Sequence, residues 1–338
     1  MKHESIGIAL LGFGNVGSGT YRVLEDNAAL ISKRVGADVR VKAILVRDLQ
    51  KQRSEQAPQH LFTDNIETIL NNPDIHIVAE LMGGMDPAVP YMERAIKSGR
   101  HVASANKEAL ARVGKSLTSL AVERGCMLRY EAAVCGAIPV LNAIATALSA
   151  NEIVRIQGIL NGTTNYILTR MSEEGASYED VLKLAQEKGF AEADPTADVE
   201  GYDAANKLSI LIACAFGDDV HPDLIDTTGI TGVSQSDLIA AAQKCETIKL
   251  IGTATKENGK VIASVKPIAL SADNPLSKVR NEFNGVLISC NMADDIFLQG
   301  RGAGPRPTGS AVAGDILEIA ACIVRGTEKC ALPTRRMV

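Results

Sequence analysis

The chain contains 338 residues, of which 35 are basic and 40 acidic, so that its formal net charge is −5. A hydrophobic fraction of 46% is typical of a globular protein and excludes an intrinsically disordered one. The acidic balance argues against nucleic acid or a membrane surface as the partner, because neither polyanion would attract such a chain at long range. Apolar runs shorter than the ~20 residues of a membrane span, and seven cysteines without a C-x-x-C pair, indicate a cytoplasmic protein.

The first third of the chain alternates short apolar runs with amphipathic stretches. Strands that are apolar throughout and separated by helices indicate a parallel sheet covered on both faces. The predicted strands are residues 6–12, 41–46, 75–83, 101–105 and 127–134, and helices are predicted over 17–31 and 91–99. This part of the chain is therefore predicted to be an α/β domain.

The alternation stops after residue 134, and the remaining pattern predicts a second, mixed α+β domain. Its expected elements are an apolar helix over 137–150, a strand over 153–160, a polar loop over 161–165, helices over 178–188 and 202–215, and strands within 248–271 and 286–300. A last apolar segment, residues 310–324, again has helical periodicity.

A glycine-rich segment directly follows the first predicted strand and opens a predicted helix. It has the G-x-G-x-x-G spacing and consists of Gly12, Phe13, Gly14, Asn15, Val16 and Gly17. In this context the first glycine permits a tight turn, the second lets the backbone approach a pyrophosphate, and the third allows the helix to pack closely on the strand. The helix N-terminus offers amide donors to the phosphates. The segment therefore predicts a dinucleotide-binding turn.

The end of the second predicted strand bears on which dinucleotide is bound. An acidic residue there typically binds the ribose hydroxyl of NAD, whereas an arginine accommodates the 2′-phosphate of NADP. The sequence offers both, since Arg47 follows the apolar run and Asp48 follows Arg47. Because Lys51 and Arg53 add positive charge nearby, the pattern favours NADP, with NAD as the alternative.

Acidic residues and a lysine are concentrated between residues 192 and 207. Five carboxylates fall within twelve residues, and a predicted helix then carries Asp203 and Lys207 four residues apart on one face. A solvated acidic loop or a surface ion pair would explain this equally well in isolation. Together with a dinucleotide turn, it predicts an acidic pocket for an amine-bearing substrate, with Lys207 as proton donor to a carbonyl oxygen.

Two further residues are candidates for chemistry. Lys107 follows the strand over 101–105, at the carboxyl end where open α/β sheets bind ligands. Cys135 could serve as a nucleophile, but no histidine motif accompanies it, and a packed cysteine is the simpler interpretation. The five histidines are dispersed and have no metal-ligand spacing.

Six segments of the chain occur in the order and spacing of one known family. They are GFGNVG, ELMGGMDPA, SANKEAL, EAAVCGAIPV, GILNGTTNYIL and ADPTADVEGYDAANKL. On these motifs the chain resembles the homoserine dehydrogenases almost from end to end. The resemblance implies a reversible NAD(P)-dependent interconversion of L-homoserine and L-aspartate 4-semialdehyde, in the aspartate pathway to threonine, methionine and isoleucine.

The resemblance also implies an architecture. An N-terminal Rossmann dinucleotide-binding domain would span residues 1–135 and be completed by a helix over 305–330, and a mixed α+β catalytic and dimerisation domain would span 136–304. The apolar helix and the late strands would form the interface of a homodimer or a dimer of dimers. Since the chain ends at residue 338, we expect neither an ACT domain nor a fused aspartate kinase, and no threonine inhibition through an ACT domain.

Residue roles follow from the resemblance position by position. Lys207, Lys107 and Asp203 match catalytic residues, and substrate would be bound by Glu192, Asp198 and Asp203. Besides the glycine turn and Arg47, the cofactor would contact Ser104, Lys107, Gly189 and Gly302. A monovalent cation, Na⁺ or K⁺, would be bound through the backbone oxygens of Glu131, Val134, Gly136 and Ile138.

The chain departs from the family pattern before its last helix, where Arg306 stands in a region that usually has small residues. Because Gly302 belongs to the same segment, this departure weakens the match that assigns Gly302 to the cofactor. Ser104 replaces a common threonine and keeps its hydroxyl. Two alternative functions remain open at this point: another semialdehyde oxidoreductase that uses Cys135 covalently, and a dinucleotide-sensing protein without turnover.

Overall fold

The computed structural model describes residues 5–53 and 57–327, which form two compact units. Unit 1 combines the chain up to residue 137 with the chain from residue 304 onward, and unit 2 comprises residues 138–303. The boundaries expected from the sequence, 135/136 and 304/305, differ from these by one or two residues. The last residues of the expected final helix, 328–330, lie outside the described residues.

Unit 1 is built on a six-stranded parallel sheet. Its elements in chain order are β1 (Ser5–Leu11), α1 (Asn15–Asp26), α2 (Ala28–Val35), β2 (Asp38–Leu45), β3 (Phe62–Thr63), α3 (Ile66–Leu70), β4 (Ile75–Glu80), α4 (Ala88–Lys97), β5 (His101–Ser104), α5 (Lys107–Glu123) and β6 (Leu128–Arg129). The strand order is β3-β2-β1-β4-β5-β6. This order reverses direction between β1 and β4, as in doubly wound dinucleotide-binding folds. The predicted Rossmann domain is confirmed.

The local predictions in unit 1 need three corrections. The predicted strand over 127–134 is only two residues long, because a 3₁₀ turn at Glu131–Ala133 follows β6. The predicted helix over 17–31 is divided into α1 and α2 at Asn27, whose φ and ψ of −109° and 14° are not helical. The short edge strand β3 was not predicted, since its two residues carry no periodic pattern.

Unit 2 contains a mixed sheet flanked by helices, as predicted. Its elements are α6 (Val140–Asn142), β7 (Ile153–Ile159), α7 (Gly162–Glu174), α8 (Tyr178–Glu187), α9 (Thr196–Val199), α10 (Tyr202–Phe216), β8 (Asp226–Thr227), α11 (Gln235–Gln243), β9 (Glu246–Glu257), β10 (Lys260–Ser271), β11 (Phe283–Cys290) and β12 (Asp295–Arg301). The strand order is β12-β11-β7-β9-β10-β8, with antiparallel pairs except for β10 and β8.

Two predictions in unit 2 are wrong in detail. The segment over 161–165 is not a loop, because Asn161 caps the N-terminus of α7 and the helix begins at Gly162. Asparagine is favoured at this capping position, so a polar N-G-T-T-N segment is compatible with a helix start. The expected apolar helix over 137–150 is also shorter: α6 has three residues and continues into a π-helical turn at Ala143–Ala147.

The last helix, α12 (Pro305–Arg325), returns to unit 1 and packs on α1. The two helices approach at Gly19 and Gly309, where a Cβ on Gly19 would lie 2.0 Å from the carbonyl oxygen of Pro305. Over its 21 residues α12 is long and apolar enough to cross a membrane by length and composition. Its buried face, with Val312, Ile316 and Ile319 fully enclosed, nevertheless contributes to the core around β1.

Candidate active site

The glycine turn of unit 1 joins β1 to α1 at the point where the sheet order reverses. Gly12 has φ = +101°, a backbone conformation that favours glycine, and its amide donates to the Leu45 carbonyl oxygen at the end of β2. Gly14 is the N-cap of α1 and has no side chain to cover the first amides of the helix. The turn can therefore present the amides at the start of α1 to an anionic group.

The remaining glycines of the turn have two different surroundings. A Cβ built on Gly17 would lie 2.2 Å from the Gly12 carbonyl oxygen, so only glycine lets α1 approach the turn. A Cβ on Gly14 would meet no atom within 4 Å among the described residues. The space in front of Gly14 is thus open, as a pyrophosphate lying against the backbone requires.

Arg47 and Asp48 follow β2 at the position that selects the ribose. The Arg47 side chain is exposed. Asp48 instead accepts a hydrogen bond from the Gln50 amide at 2.8 Å, which closes a local turn. Arg53 donates to the Asp48 carbonyl oxygen and lies over the Phe62 ring, 4.9 Å from its centroid. The Asp48 carboxylate is therefore directed into its own turn.

A buried carboxylate, Glu80, ends β4 beside the turn, in register with Leu11 of β1 and Ser104 of β5. Its Oε1 accepts from the amides of Met82 and Gly83, at 2.9 and 3.1 Å, and its Oε2 accepts from the Ser104 hydroxyl at 2.8 Å. Burial raises the pKa of Glu80, and the hydrogen bonds from Ser104, Met82 and Gly83 oppose that rise. This carboxylate thus joins the loop after β4 to the loop after β5.

Hydrogen bonds that continue from Ser104 determine where helix α5 begins, at Lys107. The Ser104 hydroxyl accepts from the Asn106 amide at 3.1 Å, and the Asn106 side chain caps α5 by accepting from the Ala109 amide. Lys107 is the first residue of α5 and is exposed. Ser104 itself is 1% exposed, so its hydroxyl lies inside unit 1, where it binds Glu80.

In unit 2, α10 carries the predicted acid–base pair. Lys207 Nζ donates to Asp203 Oδ2 at 2.6 Å and to the Leu160 carbonyl oxygen at 2.8 Å. Asp203 and Lys207 are 3% and 8% exposed, which distinguishes them from a solvated surface pair. A buried ammonium beside a carboxylate, with one N–H beyond these two bonds, can hold and deliver a proton.

Asn161 links Asp198 to the Asp203–Lys207 pair. Its Nδ2 donates to Asp198 Oδ1 at 2.7 Å and to Asp203 Oδ2 at 2.8 Å. Asp198 lies in α9 and is half-buried. The structure thus joins Asp198, Asp203 and Lys207 through one buried amide, and the five-carboxylate segment supplies two members of the group.

Three other predicted residues lie elsewhere in unit 2. Glu192 is exposed, beyond the end of α8. Gly189 is exposed with φ = +71° in the same region. A Cβ on Gly302 would lie 2.2 Å from Cγ of Asn284, so packing alone requires glycine there. Arg306 is an exposed residue near the start of α12, in unit 1.

The predicted cation-binding residues follow β6 directly. Glu131, 4% exposed, donates its amide to Asp315 Oδ2 at 2.7 Å within unit 1. Val134 and Gly136 are also in unit 1, and Ile138 begins unit 2. Among the described residues no three His, Cys, Asp or Glu side chains are arranged to hold a metal ion. Cys135, 1% exposed, lies in the same segment.

The sequence alone missed two residues of these sites. Glu80 is one, although an acidic residue that ends an otherwise apolar strand is a detectable signal. Asn161 is the other, and an asparagine ahead of an apolar run is itself a signal for a helix start. Its contact with two aspartates has no local signal.

Comparison with known families assigns both units. A family model described as "Homoserine dehydrogenase, NAD binding domain" matches residues 12–131, and one described as "Homoserine dehydrogenase" matches residues 139–317. The first match includes the glycine turn, Glu80 and Lys107. The second includes Asn161, Asp203 and Lys207.

Individual relatives agree. The homoserine dehydrogenase of Synechocystis is 41% identical over 332 residues, which are 97% of this chain and 76% of that protein. A solved homoserine dehydrogenase from Thiobacillus denitrificans superposes with a TM-score of 0.94 at 37% identity, covering 99% of this chain and 77% of the other. A hyperthermophilic archaeal homoserine dehydrogenase in complex with NADPH has a TM-score of 0.79 at 26% identity, over 93% of this chain and 97% of the other.

Proposed function

The chain belongs to the homoserine dehydrogenase family, and we propose that Lys207 moves the proton in its reaction. As a member of this family it is an NAD(P)-dependent oxidoreductase that acts on a CH–OH group and interconverts L-homoserine and L-aspartate 4-semialdehyde. The observation that carries the proposed role is the buried pair on α10, with Lys207 Nζ 2.6 Å from Asp203 Oδ2.

The chemistry requires a proton to leave or reach the oxygen of the substrate while a hydride leaves or reaches its carbon. The bound nicotinamide supplies the hydride acceptor in one direction and the hydride donor in the other. As the neutral amine, Lys207 takes the hydroxyl proton during homoserine oxidation; as the ammonium, it gives a proton to the aldehyde oxygen during semialdehyde reduction. Asp203 stabilises the ammonium form of Lys207 and fixes its direction through the 2.6 Å bond.

Acidic side chains account for recognition of the substrate amine. Asp198 contributes a carboxylate that is linked to the pair through Asn161, and Glu192 is proposed to bind the ammonium group from the segment after α8. A carboxylate that binds an ammonium group makes a charge-assisted hydrogen bond, stronger than a neutral one.

For the cofactor we propose a preference for NADP over NAD. One oxygen of the Asp48 carboxylate accepts from the Gln50 amide, whereas the preceding Arg47 is exposed and has a guanidinium suited to a 2′-phosphate. The glycine turn and its open space at Gly14 fit a pyrophosphate, and Ser104, Lys107, Gly189 and Gly302 are proposed to border the rest of the cofactor. The archaeal relative solved with NADPH supports this choice.

Three further properties are proposed on the family resemblance. A monovalent cation, Na⁺ or K⁺, is bound by the backbone oxygens of Glu131, Val134, Gly136 and Ile138. The enzyme is a homodimer or a dimer of dimers. It works in the cytoplasm, with neither nucleic acid nor membrane as partner, and the apolar helix α12 serves as a core helix of unit 1.

Initial rates of cofactor reduction with L-homoserine test the function directly, with NADP⁺ and NAD⁺ compared at matched concentrations. We expect homoserine-dependent reduction, faster with NADP⁺. Lys207→Ala should lower kcat by at least about 100-fold, within the range of general acid–base catalysis, with little change in NADPH affinity. Lys115→Ala, at an exposed lysine of α5, is the matched control.

The outcomes separate the alternatives. An unchanged kcat in Lys207→Ala would contradict the role assigned to Lys207. NADPH binding without homoserine-dependent turnover would favour the dinucleotide-sensing protein. Loss of activity in Cys135→Ala, with the fold retained, would favour a covalent mechanism.

A further inference from the structure

The Asn161 side chain both caps a helix and links two aspartates. Its Oδ1 accepts from the Thr164 amide at 2.9 Å and from the Thr164 hydroxyl at 3.1 Å, and so caps α7. Its Nδ2 carries two hydrogens, and each is directed at a different carboxylate, Asp198 at 2.7 Å and Asp203 at 2.8 Å. The side chain is 4% exposed, so little water is present to replace these bonds.

The capping bond determines which way the amide faces. Because Oδ1 is the only side-chain acceptor of asparagine and the Thr164 amide can only donate, the nitrogen must face the two aspartates. Two neighbouring carboxylates repel one another in a buried place, and each favours protonation of the other. An amide that donates to both offsets this repulsion and stabilises both as carboxylates.

The backbone beside Asn161 reaches the proton carrier as well. Leu160, the preceding residue, accepts from Lys207 Nζ at 2.8 Å through its carbonyl oxygen. Lys207 is therefore held by the main chain of residue 160 and by Asp203, which residue 161 holds in turn. The Leu160 carbonyl oxygen and Asp203 fix the directions of two of the three N–H bonds of Lys207. The tetrahedral nitrogen then fixes the direction of the third.

We propose that Asn161 is a positioning residue for proton transfer, which aligns Asp203 with Lys207 by donating from one buried amide to Asp203 and Asp198. It acts through Asp203, to which its amide donates. The inference rests on the proposed role of Lys207 and extends it, because it names the group that keeps the Asp203 carboxylate in place.

The two functions of Asn161 can be separated by substitution. Asn161→Asp keeps an oxygen that caps α7 and has nearly the same shape, but it loses both donors and adds a negative charge between two carboxylates. Asn161→Ser also keeps a favourable cap and loses the bridging amide without adding charge. Asn65→Asp is the matched control, since Asn65 is an exposed N-cap of α3 that accepts from the Glu67 amide at 2.9 Å.

Steady-state kinetics with L-homoserine and NADP⁺ distinguish a positioning role from a structural one. A lost hydrogen bond to a charged group predicts that kcat falls about 10- to 100-fold in Asn161→Ser, and further in Asn161→Asp. The KM for NADP⁺ should change by less than about threefold in both variants, because the glycine turn is unaltered. Asn65→Asp should have the kcat of the unaltered enzyme.

Wild-type kcat in folded Asn161→Ser would overturn the proposal, whether or not Asn161→Asp folds. So would a raised KM for homoserine at unchanged kcat, which would make Asn161 a substrate-binding residue instead. An unaltered enzyme that does not oxidise homoserine would contradict the proposed function, so the two failures are distinguishable.

Discussion

The carboxylate of Glu80 and the hydroxyl of Ser104 lie 2.8 Å apart across the neighbouring strands β4 and β5, and both side chains are buried. The bond joins two loops at the edge of the sheet where a dinucleotide is expected, since Glu80 also holds the amides of Met82 and Gly83. The start of α5, and with it Lys107, is therefore positioned by a carboxyl group buried in unit 1.

The raised pKa of Glu80 makes stability depend on pH in a defined direction. A carboxyl whose pKa is higher in the folded than in the unfolded state contributes stability below its unfolded pKa, and this contribution is lost as pH rises through its folded pKa. Glu80→Gln removes the titration, so the wild-type free energy of unfolding should fall relative to that of the variant as pH rises from about 4.3. Urea unfolding from pH 4 to 8 measures the difference, with the exposed Glu187→Gln as control. A constant difference would contradict the prediction.

The two glycines of the turn should respond differently to an added methyl group. Gly14→Ala is expected to fold normally and to weaken cofactor binding by about tenfold or more, because its Cβ would occupy the space open to the pyrophosphate. Gly17→Ala should lower the melting temperature, since its Cβ would lie 2.2 Å from the Gly12 oxygen. Thermal unfolding and NADPH titration of both variants decide the matter. Equal NADPH affinity in Gly14→Ala and the unaltered protein would count against the predicted cofactor site.

Arg47 should select the phosphorylated cofactor. Arg47→Ala is expected to raise the KM for NADP⁺ about 10- to 100-fold, as loss of a charge-assisted hydrogen bond to a phosphate predicts, and to leave the KM for NAD⁺ within about twofold. Arg34→Ala, at another exposed arginine in α2, is the control. A parallel rise in both KM values would show that Arg47 does not read the 2′-phosphate.

A buried lysine outside the active site gives a second pH effect, of opposite sign. Lys249 on β9 donates to Asn165 Oδ1, the Thr169 hydroxyl and the Val279 carbonyl oxygen, at 2.9, 3.3 and 2.6 Å, and burial lowers its pKa to about 8. Because the unfolded chain then binds more protons between about pH 8 and 10.4, stability should rise with pH across that window.

The size of this effect can be measured by substitution. The wild-type free energy of unfolding should gain as much as about 3 kcal/mol over that of Lys249→Met as pH rises from 8 to 10.4. Guanidinium unfolding of both proteins provides the difference, and Lys278→Met, at an exposed lysine, is the control. A difference that stays the same across the window would show that folding does not lower the pKa of Lys249.

The sequence allowed prediction of features that depend on local spacing. The glycine turn, the α10 pair of Asp203 and Lys207, and the alternation of apolar strands with helices all lie within short segments, and the structure places them as expected. The link from Asn161 to Asp198 and Asp203 joins residues 37 and 42 positions apart, so no local pattern could reveal it. The same is true of Glu80 and Ser104, which are 24 positions apart and meet only through strand pairing.

The return of α12 to unit 1 has a consequence for synthesis on the ribosome. The core around β1 is completed by Val312, Ile316 and Ile319, which are made after every residue of unit 2. At about 5–20 residues per second, roughly 10–40 s pass between translation of residue 137 and of residue 325. The apolar surface of β1 and α1 thus stays incompletely covered until α12 has been made, whereas the continuous unit 2 has all its residues once residue 303 is translated. In a growing chain, the unit that begins first is therefore the last to have all its residues.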